Sequence, residues 1–412
     1  MEIPTRKSTA AVRRGYMSLQ PVAAGFGADQ HDHVRAPSCQ VVTTAAEFHD
    51  LEPAWTELAA QCRQPSPFSA WDFAVEWWWH FVLGQMGRAT GRFQVIVVRD
   101  AGDSVIGIVP LYEEKTKGRA GVGFRLQPFG RSYSFEPMSD EPIALFHRAH
   151  EAAALEAVRA YLTEQARTGT WDVAALRGAQ RRGDRPAPLR WRGRTAEVTR
   201  AVDAPMVVQL PKRWNTFRKG LSKSMRDNLS YYPKRLNREV GAWAICAART
   251  APEVALATEA LIALHRQRSR STVGKPHCDH IPTATHAAFM RRWFQRLARR
   301  GAITLMVFET SAGVRAAQAF LDHPGGGAVY YSGHAEDVYR FSAPTLMTEA
   351  WLRLCIADGK DRVWFPPGSV SWSGRWGAVP AAPIGELSIY AMSGPTVLRA
   401  ISRRCQRALA GG

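Results

Sequence analysis

The chain has 412 residues, 46% of them apolar, 14 Trp and a formal charge of +18, which sets two or three domains as the expectation and excludes a disordered chain. No apolar run approaches the roughly 18–20 residues of a membrane helix. The greasiest patch is Trp77–Leu83, and Arg6, Lys7, Arg13 and Arg14 have no apolar core behind them, so no secretory leader is read and a cytoplasmic protein is expected. The charge fits either an anionic partner (nucleic acid, a phosphorylated cofactor, a membrane surface) or an Arg-rich solvated surface.

In chain order, residues 1–38 lack periodicity and read as a disordered segment. Cys39–Thr44 reads as a strand. Ala46 to about Cys62 reads as a helix, with Phe48, Leu51, Trp55 and Leu58 at spacings of three, four and three. Ala70–Leu83 reads as a second helix, whose aromatic stripe signifies core packing. Phe93–Arg99 and Ser104–Tyr112 flank the turn Asp100-Ala101-Gly102-Asp103 as a β-hairpin. Phe124–Gly130 reads as a strand, Glu151–Gln165 as an Ala-rich amphipathic helix and Trp171–Leu176 as a strand. Six Arg between Gln180 and Arg194, among Gly and Pro, read as a solvated basic loop and a domain boundary.

The second half opens with a short strand, Pro205–Leu210. Phe217, Leu221, Met225, Leu229, Tyr232, Leu236 and Val240 then recur at spacings of 4, 4, 4, 3, 4 and 4, one face of a long basic helix. Pro233 predicts a kink there or two shorter helices, because an interior Pro costs about 3 kcal/mol. Helices over Pro252–Arg270 and Ala284–Arg300 precede a hairpin of Ala302–Glu309 and Val314–Leu321. Pro324-Gly325-Gly326-Gly327 reads as a turn leading to the strand Ala328–His334. Ser342 is the expected N-cap, and Pro344 lies in the first turn of a helix that runs to about Asp358 and stops at Gly359. Arg362–Phe365 is the following strand. The repeated element order points to two domains of one fold, 39–195 and 196–392, with 393–412 as a basic tail or helix.

Hairpin, loop, helix N-terminus and strand in that order suit a phosphate-bearing cofactor. The N–H groups near Ala343–Leu346 are available to a pyrophosphate, with Arg340 close by. His277, Cys278, Asp279 and His280 are too tightly spaced for a zinc site, so no metal is expected. The six Cys are scattered without a CxxC pair, as in reduced cytosolic proteins. GxSxG, HExxH and GxxxxGK[ST] are absent.

Several stretches carry a resemblance: Phe48…Leu51…Trp55…Leu58, Pro67-Phe68, Trp77-Trp78…Phe81, Gly107–Tyr112, Leu221–Arg226, Leu264–Arg268, Ala316-Ala317, Tyr330-Tyr331…Gly333, and Leu346–Gly359 leading to Gly368 and Arg375-Trp376. In this order, over about residues 40–390, the chain resembles the CelD/BcsL family of the GNAT acyltransferase superfamily. The resemblance implies an α/β fold of two tandem GNAT-like domains, each a mixed, mostly antiparallel sheet flanked by helices. It implies acetyl-CoA or another acyl-CoA bound by the second domain. Tyr330, Ser332 and Gly333 would then lie along the pantetheine, and Arg340, Ser342 and Thr345 would surround the pyrophosphate. Members are linked to cellulose and exopolysaccharide production, which implies N- or O-acylation of a saccharide or other small metabolite.

The family segment Asp-Phe-Gly-x-Gly followed by Tyr-Lys is replaced here by Trp364-Phe365-Pro366-Pro367-Gly368 and Trp372-Ser373. That change implies an altered substrate or a non-catalytic binding protein on the same fold. For acyl transfer His265 is the expected base, Tyr331 the acid toward the leaving thiolate and Glu349 a further candidate. Lys223, Arg226, Arg268, Trp372 and Arg375 are expected at the acceptor. The alternative is a Fem-like transferase using charged tRNA, favoured by the charge and by the basic Lys212–Arg238 stretch.

Overall fold

In the computed structural model the described residues are 36–63, 66–118, 121–132, 144–177, 190–192, 195–202, 204–272, 277–323, 326–381 and 384–391. The expected disordered segment (residues 1–35 of it), the tail 393–412 and most of the basic loop lie outside them.

The first half builds β1 (Ser38–Val42), α1 (Ala45–Asp50), α2 (Glu52–Gln61), α3 (Trp71–Trp77), β2 (Ala89–Arg99), β3 (Val105–Gly118), β4 (Gly121–Pro128), β5 (Leu145–Phe146), α4 (Glu151–Gln165), β6 (Val173–Arg177), β7 (Arg190–Arg192) and β8 (Thr195–Val202). The single helix expected from Ala46 is two: Thr44 caps the first in a capping box with Glu47, and Pro53 starts the second. The aromatic helix ends in a π-helical turn, Trp78–Leu83.

The second half builds β9 (Met206–Gln209), α5 (Trp214–Gly220), α6 (Lys223–Glu239), β10 (Trp243–Ala248), α7 (Ala251–Arg270), α8 (Ala284–Arg299), β11 (Ile303–Thr310), β12 (Gly313–His323), β13 (Gly326–His334), α9 (Ala343–Ala357), β14 (Arg362–Phe365), α10 (Val370–Ser373), β15 (Val379–Pro380) and β16 (Ile384–Ala391). The basic helix breaks at Leu221–Ser222 and not at Pro233. Leu221 is extended, and the Ser222 hydroxyl accepts the Met225 N–H at 3.2 Å, so a new helix starts there and runs on past Pro233.

The strands form two sheets, β1-β2-β3-β4-β6-β16-β8-β7 with β5 on β3, and β10-β11-β12-β13-β14-β9-β15. Each is antiparallel except at one parallel pair, β4 with β6 and β13 with β14. Two expectations are corrected here. Arg190–Arg192, expected in the loop, is a strand paired with β8. Residues 384–391, placed by the expected bounds in the second domain, form a strand between β6 and β8 of the first sheet, where alternating Leu387, Ile389 and Ala391 bury against the core under α4.

The halves meet along an aromatic seam. Phe68, Phe73, Trp77 and Phe81 pack on Phe289, Trp293 and Tyr330 at centroid distances of 5.0–6.1 Å. Beside it, Glu76 and Asp72 of α3 meet Arg296 and Arg300 of α8, with Arg296 Nε–Glu76 Oε1 at 2.6 Å and Arg300 Nε–Asp72 Oδ2 at 3.1 Å. Among the described residues no helix is long and apolar enough to cross a membrane.

Candidate active site

β13 and β14 pair at only two positions, Gly327 with Val363 and Ala328 with Trp364. β14 ends at Phe365 while β13 continues to His334, so its segment Val329–His334 leaves β14 behind and opens a cleft in the second sheet. The turn expected at Gly326-Gly327 belongs to β13 itself. A Cβ on Gly326 would lie 2.3 Å from the Arg362 carbonyl oxygen and one on Gly327 would lie 2.6 Å from the Trp351 ring, so the parallel contact requires glycine. Beyond it the register with β12 slips between Gln318 and Phe320, which gives β13 one extra residue at Tyr330–Tyr331. The bulge stacks the two Tyr rings at 4.2 Å and sends them to different neighbours. Tyr330 meets Phe68, Trp293 and Phe294, whereas Tyr331 meets His265 and His280.

His265 has no exposed surface. Its Nε2 accepts the His280 backbone N–H at 3.1 Å, so the proton sits on Nδ1, which donates to the Ser332 carbonyl at 3.0 Å. Burial holds it neutral, with the pKa down at about 4. Both nitrogens are engaged, so this residue does not have the free lone pair the sequence assigned to it as a base. It ties the loop after α7 to the cleft strand. Gly333 serves the same junction: a Cβ there would lie 2.3 Å from the His265 backbone nitrogen. Arg266 holds the loop from below through the Ile281 and Thr283 carbonyls, at 3.0 and 3.2 Å.

The loop presents His280, half-buried, with its ring stacked on Tyr331 at 5.6 Å and 17°. Among the described residues nothing hydrogen-bonds its ring nitrogens. His280 was read in the sequence only as a rejected metal ligand; its proximity to Tyr331 is a tertiary fact that no spacing reveals. Among the described residues no group of three or more His, Cys, Asp or Glu could hold a metal ion.

Other expected site residues divide. Arg268 and Ser332 meet at the cleft, with Nη1–Oγ at 3.1 Å. Glu349 is bound to Arg353 at 2.8 Å one turn along α9, which removes it as a free base. Arg226 donates to the Leu221 and Lys219 carbonyls and so caps α5, and Lys223 is exposed at the start of α6. Trp372 packs edge-on against Phe365 at the end of β14, and Arg375 follows in the next turn.

At the head of α9, Ser342 adopts the left-handed conformation (φ 55°), which is uncommon for a residue with a side chain. Its carbonyl accepts the N–H groups of Thr345 and Leu346 at 2.8 and 3.3 Å, and its hydroxyl bonds that of Thr345 at 2.9 Å. The set of free N–H groups is therefore smaller than expected: Pro344 has none, and among the described residues the Ala343 N–H is the one in this turn without an acceptor. No acid lies in the first turn. Arg340 stands exposed beside it, 4.8 Å over the Phe341 ring and 3.6 Å from Glu239.

Residues 223–372, which include this cleft, match the family model of an acetyltransferase (GNAT) domain. No curated protein matches the chain in sequence. Among solved structures the chain is similar to FemX, with a TM-score of 0.53 and 9% identity over 86% of this chain and 98% of that one. It is also similar to a tandem GNAT protein from the clavulanic acid biosynthesis pathway, at 0.42 and 13% over 86% and 99%. A third is L-PGS from Bacillus licheniformis, at 0.41 and 11% over 78% and 94%. At these identities the likenesses speak to fold alone, and of the three the one to FemX is close enough to carry it. The chain thus has an α/β fold of two mixed, mostly antiparallel sheets flanked by helices, similar to that of FemX, and residues 223–372 match an acetyltransferase (GNAT) domain.

Proposed function

We propose that this protein is an acyltransferase that moves an acyl group from acyl-CoA, acetyl-CoA in the simplest case, to an amine or hydroxyl of a saccharide or other small metabolite. The observation that carries the reading is the segment Val329–His334, which runs on past its pairing with β14 and leads through Glu336–Phe341 into the head of α9. Residues present there fit the donor. Edge groups of β13 face the cleft beyond Ala328, and an acid-free helix start with the Ala343 N–H, two hydroxyls and Arg340 suits a pyrophosphate.

The thioester supplies an activated carbonyl; this chain must position the acceptor and move protons. His280 takes the proton from the attacking group, and the Tyr331 hydroxyl returns one to the sulfur as the carbon–sulfur bond breaks. His265 positions His280 through its backbone N–H. Calorimetry with acetyl-CoA tests the donor; absence of binding would sink the reading. With a working acceptor, His280→Ala should lower kcat by about 10²–10⁴-fold with little change in acetyl-CoA affinity. Unchanged turnover would remove His280 from the mechanism.

A second reading, a transferase that draws on charged tRNA, is favoured by Lys219, Lys223 and Lys234, exposed along α5 and α6, and by exposed Lys212 just before α5. tRNA binding with a steep loss of affinity in salt would support it.

A further inference from the structure

Arg268 lies in the last turn of α7, half-buried against the cleft strand. Its Nη1 donates to the Ser332 hydroxyl at 3.1 Å, and among the described residues it has no carboxylate within ion-pair distance. The nearby acid, Asp279, accepts the Ile281 N–H at 2.9 Å and lies 3.8 Å from His265. A guanidinium has five N–H donors, so Arg268 has most of them unused. Burial lowers its pKa, as expected for a cation without a counter-ion.

The groups around it compete poorly for an anion's place. His277 packs edge-on to His265 at 4.9 Å, and burial holds it neutral at about 3. Its Nε2 is buried with no hydrogen-bond partner among the described residues. His334, on the same strand as Ser332, is also held below its ordinary value by burial. Other half-buried arginines spend their donors in one of two ways: Arg296, Arg159 and Arg315 meet Glu76, Glu197 and Asp337, and Arg266 and Arg226 each bond two backbone carbonyls, whereas among the described residues Arg268 has the single Ser332 contact.

We infer that Arg268, Ser332 and His277 form an anion subsite for the acyl acceptor, so that the acceptor carries a carboxylate or phosphate beside the amine or hydroxyl that is acylated. The inference rests on the acyl-transfer reading, because Ser332 and Tyr331 are adjacent on the bulged strand. Two oxygens of either anion fit the guanidinium fork, and the Ser332 hydroxyl and a His277 Nε2–H supply the flanking contacts.

The test is calorimetric titration of the full chain and of Arg268→Gln, Arg268→Lys and Ser332→Ala with inorganic phosphate and, separately, with acetyl-CoA. Circular dichroism and melting confirm that each variant folds. The expected result is saturable, one-to-one phosphate binding by the wild type. Arg268→Gln should weaken it about tenfold or more, and Arg268→Lys and Ser332→Ala should weaken it less. Acetyl-CoA affinity should be equal in the wild type and the two Arg268 variants, and acetyl-CoA should not displace phosphate. Absence of saturable phosphate binding, or equal binding by folded Arg268→Gln, overturns the subsite. Loss of acetyl-CoA binding in Arg268→Gln, or displacement of phosphate by acetyl-CoA, assigns the arginine to the donor and overturns the acceptor role. Arg268-dependent phosphate binding in a wild type that ignores acetyl-CoA removes the proposed donor and leaves the anion pocket standing.

Discussion

The two halves repeat one plan and present opposite charge at its centre. Each has a strand, a helix and a parallel strand, β4-α4-β6 and β13-α9-β14, with only two register pairs between the parallel strands. In the first half Glu151 opens α4 and is held by Arg63 at 3.2 Å, and Glu114 is fully buried on the neighbouring β3. In the second half α9 opens without an acid, and Arg268 has no counter-ion among the described residues. A helix start favours anions, but one already occupied by a carboxylate repels another. The difference teaches that the helix start of the second half is the one open to an anion, which is what the proposed acyl-CoA donor needs.

The largest expected effect comes from separating the halves. Arg296→Met leaves Glu76 and Asp72, each 3% exposed in its side chain, facing a neutral group. Burial would lift Glu76, but hydrogen bonds from His80 and Arg296 and the charges of Arg296 and Arg292 together hold it below its ordinary pKa. Loss of that partner should cost about 3–5 kcal/mol, read by urea unfolding. A cost near zero would show that the seam is held by its aromatic rings alone.

A smaller effect tests the contrast in charge directly. Pro344→Glu gives α9 the acid that α4 already has, and should weaken acetyl-CoA binding by roughly 3- to 30-fold, equivalent to about 0.7–2 kcal/mol. Glu151→Gln in the first half should leave that affinity unchanged. Equal effects of the two substitutions would erase the distinction.

The most gradual effect is with pH. His265 and His286, both in the second half, are buried and held neutral at about 4. Their folded pKa values lie below the ordinary 6.5, so the unfolded chain binds more protons between those values. Stability from them is present above about pH 6.5 and is lost as pH falls toward about 4. Melting temperature should fall through that window, and His286→Gln should flatten the slope. A melting temperature independent of pH would contradict the burial of neutral imidazoles.

Much of this architecture was legible from periodicity. The helices α4, α7, α8 and α9 and the hairpins of both halves follow from apolar spacing and from Gly and Pro stops such as Gly359, which is left-handed at φ 74°. The site was legible as a region but not as a mechanism. Leu264-His265 on a helix and Ser332-Gly333 on a strand mark the junction, yet only packing shows that His265 is hydrogen-bonded on both sides. The bulge at Tyr330–Tyr331 left no signal, because two adjacent aromatics are equally compatible with a regular strand. Ile384–Ala391 was missed because its partners, β6 and β8, lie about two hundred positions earlier, and long-range pairing has no local signature.

That returning strand reverses the order in which the halves can be finished on a ribosome. β9 through β15 close the second sheet before residue 384 has been made, while β6 and β8 wait for β16 to fill the gap between them. At about 5–20 residues per second the interval between β8 and β16 is roughly ten to forty seconds. During it the half made first holds two unpaired strand edges, the feature most prone to pair with another chain. A chain stopped before residue 384 would keep a complete second sheet and an incomplete first one, so nascent or truncated forms should aggregate through the half whose synthesis began earlier.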